Sequence, residues 1–166
     1  MTNVAQQLEL FPDSQAIKKS PAKRVSIVSL KLVRESTILY PDRSIRSPQD
    51  AARLLRPLLQ DADREHFLVV CLDTKNNVNS ITTSHIGSLN ASIVHPRECF
   101  KTAILSNAAS IICAHNHPSG NTTPSPEDIQ ITTRLKEAGE LLGIELLDHL
   151  IIAGNDFCSL KEGGFI

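Results

Sequence analysis

Residues 110–153 read SIICAHNHPSGNTTPSPEDIQITTRLKEAGELLGIELLDHLIIA, and this stretch decides the fold. Ile111, Ile112 and Cys113 make residues 110–114 a short apolar run of the kind that forms a buried strand. A polar loop over 115–124 follows, punctuated by Pro118, Gly120 and Pro124. Ser125 then stands as a helix cap, with Pro126 at the first helical position and Asp128 at the third, so a helix starts sharply there. It runs through Ile129, Leu135, Ala138 and Leu142 to Gly143, a C-terminal stop. Residues 144–153 return to a strand.

Outward from this unit, strands and helices continue to alternate. Residues 157–160 read as a last short strand. Upstream, His95 and Pro96 open a helix to about residue 107, with Phe100, Ala103 and Ile104 inward. The unbroken apolar run 67–72, a turn at Lys75, Asn76 and Asn77, and a strand over 78–84 read as a hairpin. Ser47 caps another helix that begins at Pro48 and buries Leu54, Leu55, Leu58 and Leu59, with Pro57 expected to kink it or end it early. Val25, Ile27 and Val28 predict a first strand over 25–33. The pattern is α/β or mixed α+β, one central sheet flanked by helices in a domain spanning 24–166. Residues 1–23 show no sustained period and read as a flexible N-terminal tail, with a helical turn around 4–11.

Composition removes several classes of function. The chain of 166 residues is 41% hydrophobic and 21% charged, enough for one domain with a full core. Its longest uncharged apolar run is far too short to cross a bilayer, and no secretory signal opens it. The expectation is a soluble, cytoplasmic protein without membrane contact. With no Trp and one Tyr, large base-stacking platforms are excluded. Net charge is -1. Residues 1–64 carry 11 Lys or Arg against 7 Asp or Glu, and residues 65–166 carry 6 against 11. The +4 front end allows weak nucleic-acid contact at most. Cys71, Cys99, Cys113 and Cys158 are widely spaced, as reduced thiols rather than a disulfide or zinc framework.

Chemistry concentrates at His115, His117, Ser125 and Asp128. Two histidines one residue apart at a strand end can direct both imidazoles to one point, and the folded-back loop can bring the Asp128 carboxylate there. Two imidazoles and a carboxylate are a three-ligand zinc set with an open position, and this composition disfavours magnesium or calcium. Taken separately, the same residues are two loop histidines and a helix cap.

Together, the pattern His115-x-His117-x7-Ser125-x2-Asp128 resembles the JAMM motif of MPN/JAB-type zinc metalloproteases. The flanks are similar to the RadC branch: Gly87-Ser88-Leu89-Asn90, His95-Pro96-Arg97-Glu98, Asn107-Ala108-Ala109, His117-Pro118-Ser119-Gly120 and Asp148-His149-Leu150-Ile151-Ile152. The resemblance covers about residues 25–166. It implies a cytidine-deaminase-like three-layer α-β-α sandwich and one Zn2+ per chain held by His115, His117 and Asp128. It also implies a zinc-activated water attacking a peptide or isopeptide carbonyl of a protein substrate. Ser125 would hydrogen-bond the oxyanion. Glu65, directly before the 67–72 strand, would carry the proton, with Glu98 as the alternative. Asn116 stands where JAMM proteases usually carry Ser or Thr, as is common in the RadC branch.

RadC-like proteins also carry an N-terminal helix-hairpin-helix region, which the roughly 24 residues before this domain cannot house. The other function the resemblance implies is a non-catalytic module of a DNA-repair or mobile-element system that binds nucleic acid or a partner. His66, His85 and His95 read as surface or strand-end residues, and His149 as a hydrogen-bonded structural residue. Base deamination is excluded by the absent H-x-E and P-C-x-x-C signatures.

Overall fold

A computed structural model of the chain describes residues 24–87 and 94–166. The expected tail over 1–23 and the stretch 88–93 lie outside them. Three helices, α1 (Pro48–Leu59), α2 (Pro96–Leu105) and α3 (Pro126–Leu142), accompany five strands. The strands are β1 (His66–Leu72), β2 (Val78–Ile86), β3 (Ser110–Asn116), β4 (Glu145–Ala153) and β5 (Asp156–Ser159). They form one mixed sheet in the order β2-β1-β3-β4-β5. Only the β3–β4 pair is parallel, joined through α3.

The apolar run of β1 is unbroken because both faces of the sheet are covered. Successive side chains alternate sides. Phe67, Val69 and Cys71 join Cys99, Phe100 and Ala103 of α2 and Ile131 and Leu135 of α3. Leu68, Val70 and Leu72 join Leu54, Leu55 and Leu59 of α1 on the other face. The result is the expected α-β-α sandwich, with α1 on one side and α2 and α3 on the other.

Local chemistry explains the element ends. The Ser47 side chain accepts from the Asp50 amide at the start of α1. Asp73 Oδ1 accepts from the Lys75 and Asn77 amides, and Asn76 takes the left-handed conformation that the β1–β2 hairpin requires. Gly143, at φ 69°, closes α3.

Several expectations are corrected. Residues 25–33 form no strand; Val25 and Ile27 are 88% and 101% exposed. β-branched alternation supplies propensity, but a strand exists only where a neighbour pairs its backbone, and among the described residues none pairs with this segment. Its first sheet contact is the bridge from Ser44 to Asn77. Pro57 does not end α1 early: the helix continues to Leu59, which is buried. Pro57 lies in the last turn, where it removes a single backbone bond, and burying Leu59 returns about 1.5–3 kcal/mol. Ile104, expected inward, is exposed, while Cys99 takes the inward position. Leu142 and Leu58 are likewise exposed.

Candidate metal centre

The antiparallel pairing of β1 with β3 sets the chain entering β1 beside the chain leaving β3, with Phe67 opposite His115. At that end of the sheet β3 delivers His115, the residue just after the strand is His117, and the N-terminus of α3 delivers Asp128. His115 is fully buried and stacks on Phe67, ring centroids 6.1 Å apart at 10°. The His117 amide donates to the Ile152 carbonyl at 3.0 Å, which ties the loop to β4. Gly120, at φ 80°, lets the loop turn back so that the Asn121 carbonyl meets His117 Nδ1 at 2.7 Å.

The three donor groups predicted from the sequence do converge. The Nε2 atoms of His115 and His117 are 3.0 Å apart. Asp128 Oδ1 is 3.1 Å from His115 Nε2, and its Oδ2 is 3.5 Å from His117 Nε2. Ligands at zinc bond lengths of about 2.0–2.1 Å in a tetrahedron stand roughly 3.3 Å apart, so this spacing fits one ion.

Proton placement makes the same point. The Asn121 carbonyl can only accept, so His117 carries a proton on Nδ1, and its neutral ring turns a bare Nε2 inward. His115 Nδ1 lies 2.9 Å from His149 Nε2, so the two rings share a hydrogen bond. His115 Nε2, His117 Nε2 and the Asp128 carboxylate therefore face one another, an arrangement that could hold a cation. Burial alone would raise Asp128, but hydrogen bonds from His115 and His117 outweigh it and hold the carboxyl well below the usual range. His117 is pushed up, chiefly by its hydrogen bond to Asp128; burial opposes this, and the Asn121 carbonyl and the charges of Asp128 and Glu65 add to it. The donor set fits a divalent metal with nitrogen and oxygen preferences, zinc among them.

Ser125 forms a reciprocal cap with Asp128. Its hydroxyl donates to Asp128 Oδ2 at 2.6 Å and accepts the Asp128 amide at 3.1 Å. The Ser125 amide donates to the same Oδ2 at 2.8 Å. Cap and candidate ligand are thus one structure. Glu65, half-buried, directly precedes β1, and its carbonyl accepts the Gly87 amide at 2.8 Å. Its charge is felt at His117. Glu98 stands in the exposed first turn of α2, paired with Lys101 at 2.6 Å.

Sequence reading singled out Asn116, whose side chain reaches the residues on either side of Glu65, and read His149 as a hydrogen-bonded structural residue, as it is, but missed Thr132, its buried partner. A histidine within the apolar β4 strand was the available signal. His149 was expected to be structural, and nothing in its spacing joined it to His115. Among the described residues, His115, His117 and Asp128 form the one group of three or more such side chains disposed to hold a metal. No helix there is long and apolar enough to cross a membrane.

Comparison with known proteins matches residues 45–165 to the model of the RadC-like JAB domain. The chain is 54% identical to a UPF0758 protein of Shouchella clausii over 81% of its length and 58% of the relative's. It is 58% identical to another from a Geobacillus species, over 80% of this chain and 59% of that one. A third, from Bacillus licheniformis, is 57% identical over 96% of this chain and 78% of the relative. The chain thus spans under two thirds of the length of the first two.

Proposed function

The chain belongs to the RadC-like JAB domain family, and from that premise we propose that it is a cytoplasmic zinc-dependent hydrolase of peptide or isopeptide bonds. One observation carries this reading: His115 Nε2, His117 Nε2 and the Asp128 carboxylate converge within ligand spacing of one another. His115, His117 and Asp128 would hold the ion. When bound, zinc lowers the pKa of a water to roughly 7 and polarises a carbonyl.

The remaining work falls to the chain's own residues. Glu65 takes a proton from the attacking water and returns it to the leaving amine. Ser125, its single hydroxyl proton now on Asp128, releases that bond and donates to the developing oxyanion. Asp128 remains a carboxylate because its pKa is held low. The four thiols suit a reducing compartment: Cys71, Cys99, Cys113 and Cys158 are all free.

The test has two parts. Purified protein supplied with zinc retains about one ion per chain, and His115→Ala loses it. A mixed peptide and isopeptide library then yields cleavage products with the wild type that Glu65→Gln, still metal-loaded, does not produce. Failure to bind zinc ends the hydrolase reading. Equal cleavage by Glu65→Gln removes Glu65 from its role.

A further inference from the structure

We propose that Thr132 and His149 are positioning residues that fix the tautomer of His115, so that its Nε2 is presented bare to the metal. This rests on the metal-binding reading above and deepens it.

The assignment begins at a backbone carbonyl, which can only accept. Thr132 Oγ1 lies 2.6 Å from the Asp128 carbonyl oxygen, one helical turn earlier in α3, and gives its single proton there. The same oxygen lies 2.6 Å from His149 Nδ1. With its proton spent, it accepts, so His149 carries its hydrogen on Nδ1. His149 is fully buried, its ring edge-on to Phe67 at 5.2 Å, and its two nitrogens meet a hydroxyl and another imidazole. An imidazolium there would lack an anionic partner, so the ring is neutral and its Nε2 is bare. His115 Nδ1, 2.9 Å away, must then bring the proton, which leaves Nε2 of the neutral His115 ring, the form that binds a metal, without one.

The chain of donors returns to where it began. Asp128 offers its backbone carbonyl to Thr132 and its carboxylate to the His115 Nε2 side, at 3.1 Å. One residue of α3 thereby sets both the direction of the relay and a ligand at its end. β3 and β4 run parallel with Cys113 opposite His149, so side-chain alternation brings His149 and His115 to the same face of the sheet. Without this partner His115 is free to place its hydrogen on Nε2, where it blocks coordination.

Zinc affinity, measured by competition with a chromophoric chelator, reads the relay without any substrate. His149→Phe, which fills the space but accepts nothing, should weaken affinity about 10–100-fold. His149→Gln, with an acceptor and a donor, should recover most of that loss, and Thr132→Val should show a smaller loss in the same direction. Long-range 1H–15N spectra of histidine-labelled wild type should show both His115 and His149 protonated on Nδ1. That spectrum needs no variant to fold.

Unchanged affinity in His149→Phe and Thr132→Val while the wild type binds zinc overturns the relay alone. So does a His149 protonated on Nε2. A wild type that binds no zinc overturns the metal reading and the relay with it.

Discussion

Asn116 grips the chain on both sides of Glu65. Its Nδ2 donates to the Arg64 carbonyl at 2.9 Å, and its Oδ1 accepts the His66 amide at 2.8 Å. Alternation along β3 explains the choice of residue. His115 points to the α2 and α3 face, so its successor points away from it, toward the start of β1. A side-chain amide can satisfy a donor and an acceptor at once. Of the residues that stand between paired histidines, a hydroxyl is too short to span the two.

Asn116→Ala should therefore lower the unfolding free energy by about 2 kcal/mol, since two backbone groups lose their partner. Asn116→Asp keeps the acceptor for His66 but offers nothing to Arg64, and should lie between. Denaturant unfolding measures both, and zinc binding should persist in each. Wild-type stability in Asn116→Ala would show that water replaces the amide without cost.

Ser125→Ala removes the hydroxyl half of the α3 cap and one of the hydrogen bonds on Asp128 Oδ2. The expected loss is about 1 kcal/mol, read as a lower Tm, and Ser125→Thr should restore it. An unchanged Tm would mean that Pro126 and the Ser125 amide start the helix unaided.

Burial pushes the thiols up: Cys99 to about 11, and Cys113, wholly enclosed, well above the ordinary thiol value. A raised thiol pKa means less thiolate at a given pH, and the thiolate is the nucleophile. Alkylation of the folded protein at pH 8, followed by mass spectrometry, should modify Cys158 and leave Cys71, Cys99 and Cys113 unmodified until denaturant is added. Rapid labelling of Cys113 in the native state would contradict the packing of β3.

Leu55 is fully enclosed between α1 and the sheet, whereas Leu39 lies wholly exposed. Leu55→Ala should cost about 2–5 kcal/mol of stability, and Leu39→Ala no more than about 0.5 kcal/mol. Comparable losses at both positions would show that the segment before residue 40 is packed in solution.

Much of this architecture is legible residue by residue. Ser47-Pro48 and Ser125-Pro126 mark helix starts because a capping hydroxyl followed by a residue without an amide hydrogen satisfies local needs, whatever lies across the fold. Asn76 and Gly143 mark their turns because left-handed backbone selects for them. The segment 25–33 misleads for the opposite reason: its propensity is local, but a strand is a relation between two chains of backbone. Ile104 misleads because helical spacing permits several inward faces, and packing against the sheet selects the one that carries Cys99, Phe100 and Ala103.

The sequence by itself determined the alternation of strands and helices and the identity of His115, His117 and Asp128 as a candidate ligand set. Those features depend on short-range spacing and on side-chain chemistry, which the order of residues states directly. The tertiary structure alone decided which side chains serve that set. Asn116 meets Arg64 and His66 across the antiparallel β1–β3 pair, and His149 meets His115 across the parallel β3–β4 pair. Such contacts join residues tens of positions apart through strand register. Register is settled by how a whole apolar face packs, so no local stretch of sequence contains it.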